Sequence, residues 1–188
     1  MGNYQITVAK DCDWETVYAA KLTCFPFEKR DYKPFAQGRL CLCPEGLHVQ
    51  LISFEVRPLV AGSVPESSCL TLALGRGGGA PVLCITADST GRALARLEDA
   101  PLTPPEIVPF AGEDLQGIYW GVKYCLGPEV LEKVFSRPLK AGEIVWGNLI
   151  TSCLGGNRPF FGTLYPTAPK GGWLDEAPAL GKMELVRF

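Results

Sequence analysis

The pattern of apolar and polar positions predicts a chain made mainly of short β-strands. Residues 47–56 (LHVQLISFEV) alternate, so that Leu47, Val49, Leu51 and Ser53 point to one face and the residues between them to the other. Glycine and proline turns separate this segment from its neighbours, an arrangement typical of a sandwich or jelly roll. The predicted strands are residues 4–8, 38–43, 47–56, 69–74, 82–87, 93–98, 117–126, 143–150, 161–165 and 182–188.

Two short stretches break this pattern and favour helix. Pro128 suits the first position of a helix, and Val130, Leu131 and Val134 form an apolar stripe behind it. Asp13 can cap a second turn over residues 14–19. We therefore expect an all-β, sandwich- or jelly-roll-like fold with one or two short helices, one of them near Pro128–Phe135.

Composition narrows the class of protein. The chain has 188 residues, 47% of them hydrophobic, and a net charge of −2, which predicts one domain over residues 1–188 with its own core. The chain has no excess of basic residues, which argues against nucleic-acid binding. It has no apolar run of about 18 residues, so no membrane-spanning helix is expected. The first residues, MGNYQITVAKDCDWE, lack the pattern of a secretory signal, so a cytoplasmic location is expected.

The residue types that carry catalysis or bind metals are sparse. The eight cysteines lie mostly in apolar runs and are interpreted as reduced, buried thiols. Cys41 and Cys43 share one face of a strand, but their spacing differs from a zinc knuckle and no second pair follows. His48 is the single histidine, and neither a G-x-S-x-G elbow nor a spaced carboxylate pair occurs. The sequence therefore predicts a protein that is not an enzyme, with no metal site and no cofactor.

Aromatic and polar side chains suggest a binding surface instead. A sugar ring stacks on an aromatic ring while amide and carboxyl groups bond its hydroxyls. Trp173 follows two glycines in a loop and is the best stacking candidate, whereas Trp14, Trp120 and Trp146 fit packing positions. Glu55 lies in an otherwise apolar strand, either facing water at the strand end or at the mouth of a cleft.

Several motifs occur together in the order of one known family. These are the YKPF segment at Tyr32, Glu55 followed by Pro58, residues 64–74 (VPESSCLTLAL), residues 82–91 (VLCITADSTG) and residues 161–166 (FGTLYP). In this order they resemble the family 9 carbohydrate-binding modules and their DOMON-like sandwich relatives. The resemblance implies a non-catalytic protein with a saccharide ligand, bound near Trp173, Asn148, Tyr165 and Glu55.

The chain departs from that family pattern at positions that would line the binding face. Small, apolar or neutral residues replace the family's polar and aromatic ones, at Ser67, Thr71, Cys84, Thr86 and Leu164. Calcium is not expected, because no cluster of carboxylates is evident. The alternative is therefore a binding or assembly module that has lost sugar recognition and pairs with a protein partner or with a second copy of itself.

Overall fold

The computed structural model describes residues 3–28, 31–78, 81–166 and 179–187. These residues form thirteen strands and one helix. The elements are β1 (Tyr4–Val8), β2 (Ala19–Leu22), β3 (Ala36–Cys43), β4 (Gly46–Ser53), β5 (Cys69–Gly75), β6 (Val82–Asp88), β7 (Ala93–Leu97), β8 (Ala100–Leu102), β9 (Val108–Asp114), β10 (Gly117–Leu126), α1 (Pro128–Phe135), β11 (Ile144–Cys153), β12 (Phe160–Thr163) and β13 (Gly181–Arg187).

The strands form one mixed sheet that curls into a sandwich-like body. Its order is β8-β7-β6-β5-β11-β13-β1-β3-β4-β10-β9, with β12 beside β11 and β2 beside β3. β1 runs parallel to both β13 and β3, and every other pair of neighbouring strands in this order is antiparallel. One core cluster takes Leu72 and Ile85 from one half of the sheet and Val49 and Val122 from the other. The all-β class is confirmed.

The alternation predicted for β4 is present in the structure. Leu47, Val49 and Leu51 are buried in the main core, and Ser53 is fully buried beside them. His48 and Gln50 point to the opposite face, where β3 and β10 supply their cross-strand neighbours. The sheet formed by β3, β4 and β10 therefore has an apolar face toward the main core and an outer face that carries the polar side chains of His48 and Gln50.

The helix α1 occupies the predicted residues. Pro128 is in its first turn, and Leu131, Val134 and Phe135 are buried against the sheet. Ser136 ends the helix in the left-handed conformation at φ 59°, with its N–H donating to the Glu132 carbonyl at 2.7 Å. None of the described residues forms a helix with the length and apolar character needed to cross a bilayer.

Three strands were not among those predicted. The second helical stretch predicted over residues 14–19 is wrong: residues 14–16 form a turn in which Asp13 Oδ1 accepts from the Glu15 N–H at 3.1 Å, and β2 begins at Ala19. β8 is only three residues long, and β9 lies in a proline-rich segment outside the predicted strands. β9 tolerates Pro109 because it is an edge strand, bonded to β10 on one side.

Candidate functional site

Glu55 lies just beyond the end of β4 and is buried, with 7% of its surface exposed. Its Oε1 accepts a hydrogen bond from Ser68 Oγ at 2.8 Å, and its Oε2 accepts one from the indole Nε1 of Trp120 at 3.3 Å. Burial raises the pKa of this carboxyl, and the two hydrogen bonds only partly oppose that effect. A carboxylate accepts about four hydrogen bonds, so roughly two acceptor positions remain for a ligand.

Two clefts meet at Glu55 and Val56. The larger, here called the Tyr32 cleft, has a volume of about 510 Å³. The Arg158 guanidinium lies 5.7 Å from the centre of the Tyr32 ring, and this ring packs edge-on against Phe160. The cleft therefore offers an aromatic ring, a carboxylate, an amide and cationic donors together. Its lining is Tyr32, Phe54, Glu55, Val56, Arg57, Leu59, Cys153, Gly155, Gly156, Asn157 and Arg158.

The second cleft lies on the other side of Glu55 and has a volume of about 390 Å³. Aromatic rings border it: Tyr119 lies 5.6 Å from Phe54 and 6.3 Å from Phe110, measured between ring centres. The Lys123 ammonium sits 4.8 Å above the Phe110 ring. This cleft is more apolar than the Tyr32 cleft, because Glu55 is the only charged side chain among its described lining residues, whereas two arginines also line the Tyr32 cleft.

The loop formed by residues 59–68 holds Glu55 in place through hydrogen bonds. Ser68 Oγ, which donates to Glu55, also accepts from the Leu59 N–H at 2.9 Å. Arg92 Nη2 donates to the Ala61 carbonyl at 2.8 Å and to Ser67 Oγ at 3.1 Å. These contacts fix the loop between residues 59 and 68, and with it the orientation of the Glu55 carboxylate.

Asp88 holds Arg92 in that position. Asp88 is fully buried; its Oδ2 accepts from Arg92 Nε at 2.7 Å, and its Oδ1 accepts from the Thr90 hydroxyl at 2.7 Å and the Thr90 N–H at 2.9 Å. Burial alone would raise the pKa of Asp88, but the hydrogen bonds from Thr90 and Arg92 outweigh it, and the pKa is lowered. The Asp88 carboxylate is thus a charged anchor behind the site.

Asn148, predicted as a ligand residue, is fully buried. Its Nδ2 donates to the carbonyl oxygens of Tyr165 at 3.1 Å and Ala179 at 2.8 Å. Its Oδ1 accepts from the N–H groups of Leu164 at 3.2 Å and Tyr165 at 3.1 Å. These four bonds use the whole hydrogen-bonding capacity of an amide side chain, so Asn148 has none left for a ligand in this arrangement.

The structure brings Tyr165 and Asn148 together but places Glu55 elsewhere in the fold. The Tyr165 hydroxyl donates to the Lys182 carbonyl at 2.5 Å and accepts from the Tyr4 N–H at 2.9 Å, which ties β13 to β1. Glu55 is instead packed on Ser68 and Trp120. Trp173, the predicted stacking residue, lies outside the described residues.

The residues that depart from the family pattern satisfy one another or pack in the core. The hydroxyls of Thr71 and Thr86 face each other across β5 and β6 at 2.8 Å. The Ser67 hydroxyl donates to the Ser63 carbonyl at 2.9 Å, and Leu164 joins the main core. The side chains at these positions therefore make contacts within the protein itself.

Sequence reasoning did not assign the Tyr32 cleft as a site. The YKPF motif, which begins with Tyr32, is the part of the sequence that could have pointed to this cleft. Asn157 and Arg158 belong to the loop between β11 and β12, where no periodic pattern marks a residue as functional. A second group of polar side chains, Cys43, Glu45 and His48, was also missed and lies at the opposite end of β4.

Comparison with solved structures identifies the fold. The structure is similar to a candidate carbohydrate-binding protein from Bacteroides uniformis, with a TM-score of 0.71 and 14% identity over 98% of this chain and 100% of the other. It is also similar to a family 9 carbohydrate-binding module from Caldicellulosiruptor kristjanssonii. The TM-score is 0.69 for the cellotriose complex, with 11% identity over 100% of this chain and 95% of the other. It is 0.64 for the glucose complex, with 12% identity over 98% and 96%.

The likeness is structural only, because no protein-family model and no curated protein matches the sequence. The chain nevertheless matches these structures over almost its whole length, and so it has the fold of the family 9 modules. The resemblance found from the sequence is confirmed at this level.

Proposed function

We propose that this protein binds a neutral saccharide, without catalysis, in the Tyr32 cleft. The observation that carries the proposal is the buried Glu55 carboxylate, which is oriented by Ser68 and Trp120 and lines the cleft with acceptor capacity to spare. The cellotriose and glucose complexes of structures with the same fold add support.

The chemistry of the cleft suits a hydroxylated ring. Tyr32 offers an apolar face on which the C–H groups of a sugar can stack. Glu55 can accept hydrogen bonds from hydroxyls, while Asn157 and Arg158 can donate to them. The Glu55 carboxylate repels an anionic group placed beside it. A neutral polyol satisfies all these groups at once.

The cleft supports binding rather than hydrolysis. Glycoside cleavage generally needs two carboxyl groups on either side of the scissile bond. Among the described residues that line the Tyr32 cleft, Glu55 is the one carboxylate. The surrounding groups are therefore suited to recognition.

Exposed apolar side chains near the site favour a second function, assembly with a protein partner or another copy. Val56 is 64% exposed, Val60 50% and Ile118 44%, and two of the three line the second cleft. Analytical ultracentrifugation separates the two functions: a concentration-dependent dimer that excludes sugar would favour assembly, and a sugar-binding monomer would favour recognition.

The test is a thermal-shift panel of neutral mono- and oligosaccharides, followed by titration calorimetry with any that stabilise the protein. Glu55→Gln should weaken binding by roughly 10- to 100-fold, because a hydrogen bond to a charged group contributes about 1.5–3 kcal/mol. Its melting temperature should change little, since the lost bond to Trp120 is offset by removal of a buried charge.

Glu184→Gln on β13 is the matched control, because that half-buried carboxylate lies outside the lining of both clefts. It should bind sugar like the wild type. Failure of every saccharide to stabilise the protein, or equal affinity for wild type and Glu55→Gln, would contradict the proposal.

A further inference from the structure

Cysteine and histidine side chains gather on the outer face of β3, β4 and β10, at the end opposite Glu55. Cys41 of β3 and Cys125 of β10 are the direct cross-strand neighbours of His48 on β4. Residues directly opposite in antiparallel strands share a face, so these three side chains form one row. Cys43 lies two residues beyond Cys41 and therefore points to the same face.

The potential ligand atoms lie close together. Cys43 Sγ, a Glu45 carboxylate oxygen and a His48 ring nitrogen are all within 4.8 Å of one another. Glu45 Oε1 is 2.8 Å from His48 Nε2, and Cys125 Sγ is 3.9 Å from the same nitrogen. In a tetrahedral zinc site, the bond lengths place two sulfurs about 3.8 Å apart and a sulfur and a nitrogen about 3.6 Å apart. Cys43, Glu45 and His48 need only small movements to reach that geometry, and the Cys125 thiol, already 3.9 Å from His48 Nε2, would have to turn toward the other two.

The hairpin that carries these ligands is held against the strand that carries Cys125. β3 and β4 are joined by Pro44 and Glu45, and Gly46 follows at φ 147°. A Cβ atom at Gly46 would collide with the Leu126 carbonyl oxygen and lie 2.9 Å from Cys125 Sγ. The glycine therefore permits the close approach that brings Cys125 to the hairpin.

A second layer supports the group, and solvent can reach it. Cys41 Sγ lies 3.7 Å from Cys43 Sγ, within the range of a thiol hydrogen bond. The side chains of His48 and Glu45 are 24% and 56% exposed, which leaves a path for an incoming ion.

We propose that the β3–β4 hairpin binds a zinc-class divalent ion through Cys43, Glu45, His48 and Cys125. Two sulfurs, one imidazole nitrogen and one carboxylate oxygen form a donor set that zinc accepts and that calcium or magnesium does not favour. Binding replaces the protons of the two thiols, which pass to the buffer. This inference is independent of saccharide binding at the other end of the molecule.

The experiment is a titration of the reduced full-length protein with Co²⁺, which gives visible absorption bands in tetrahedral thiolate sites. We expect saturation at one equivalent and loss of the bands when Zn²⁺ is added. Cys43→Ser and His48→Ala should each weaken Co²⁺ binding by more than about 10-fold. Loss of a group that merely hydrogen-bonds a metal ligand already costs about that much, and loss of a ligand should cost more. Cys24→Ser is the control, because this half-buried thiol lies beside β12.

His48→Ala keeps the test decisive if Cys43→Ser does not fold, because His48 is partly exposed and a thermal melt can show that the variant is intact. Three results would overturn the proposal: no visible bands at saturating Co²⁺, unchanged affinity in folded His48→Ala, or equal loss of binding in Cys24→Ser.

Discussion

Replacement of Asn148 by alanine is expected to destabilise the protein by roughly 2–3 kcal/mol. Four backbone groups bond the Asn148 side chain, but two of them have other partners. The Leu164 N–H also donates to the Leu149 carbonyl at 2.9 Å, and the Tyr165 carbonyl accepts from Thr163 Oγ1 at 2.8 Å. The variant therefore leaves the Tyr165 N–H and the Ala179 carbonyl without the amide.

The magnitude follows from where those two groups lie. Loss of a partner costs about 1–3 kcal/mol for a donor held away from water, and the part-buried Tyr165 N–H is such a donor only in part. Ala179 is at the surface, so water can replace its bond and its contribution is smaller. For a domain of 188 residues, a loss of 2–3 kcal/mol corresponds to a fall in melting temperature of roughly 4–12 °C.

Urea unfolding followed by tryptophan fluorescence measures the change directly. Asn157→Ala is the matched control, since Asn157 is exposed and should alter stability by less than about 0.5 kcal/mol. Asn148→Asp should destabilise more than alanine at neutral pH, because its carboxylate would face the Tyr165 and Ala179 carbonyl oxygens. A loss below about 0.5 kcal/mol for Asn148→Ala, with weakened sugar binding, would refute a structural role and restore the ligand role predicted from sequence.

Three further predictions follow from particular contacts. Because hydrogen bonds lower the pKa of Asp88 in the folded state, its stabilising effect is complete above the unfolded pKa of about 3.9 and is lost as the pH falls through the folded pKa. Urea unfolding from pH 6 to 3 should show a shallower acid loss for Asp88→Asn, and parallel curves would contradict this. Gly46→Ala should lower the free energy of unfolding by at least about 2 kcal/mol in the same assay, because φ is 147° and the new Cβ meets the Leu126 carbonyl. Gly62→Ala is the control and should be nearly neutral, because no atom lies within 4 Å of its Cβ. Equal effects of the two substitutions would argue against backbone strain at Gly46. Tyr165→Phe should lower stability by about 1–2 kcal/mol, because it removes the hydrogen bonds of the Tyr165 hydroxyl to Tyr4 on β1 and to Lys182 on β13. An unchanged melting temperature would show that these two bonds contribute nothing.

Local patterns explain why the fold was largely predictable. The period-two alternation of β4 and the proline-led apolar stripe of α1 are both properties of adjacent residues, and both are present in the structure. β9 was missed because Pro109 lowers strand propensity in a segment that an edge position tolerates. Propensity alone does not reveal which strand becomes an edge.

The candidate sites depend on contacts between distant segments, which a single sequence does not show. Glu55 was singled out for its apolar surroundings, but its partners Ser68 and Trp120 lie 13 and 65 residues away. His48 was interpreted without partners because Cys125 is 77 residues distant in the chain. Asn148 was predicted as a ligand from the family resemblance, whereas the backbone groups that bond it come from residues 164 to 179.

Backbone amide NMR of the full chain, titrated with the saccharide that most stabilises it, tests the central claim most directly. Binding in the Tyr32 cleft predicts that the largest shift changes fall on residues 54–57 and on Leu59, Asn157 and Arg158. Changes centred on Tyr165 and Gly181, or no changes with any neutral saccharide, would contradict the proposal that Glu55 and the Tyr32 cleft form the binding site.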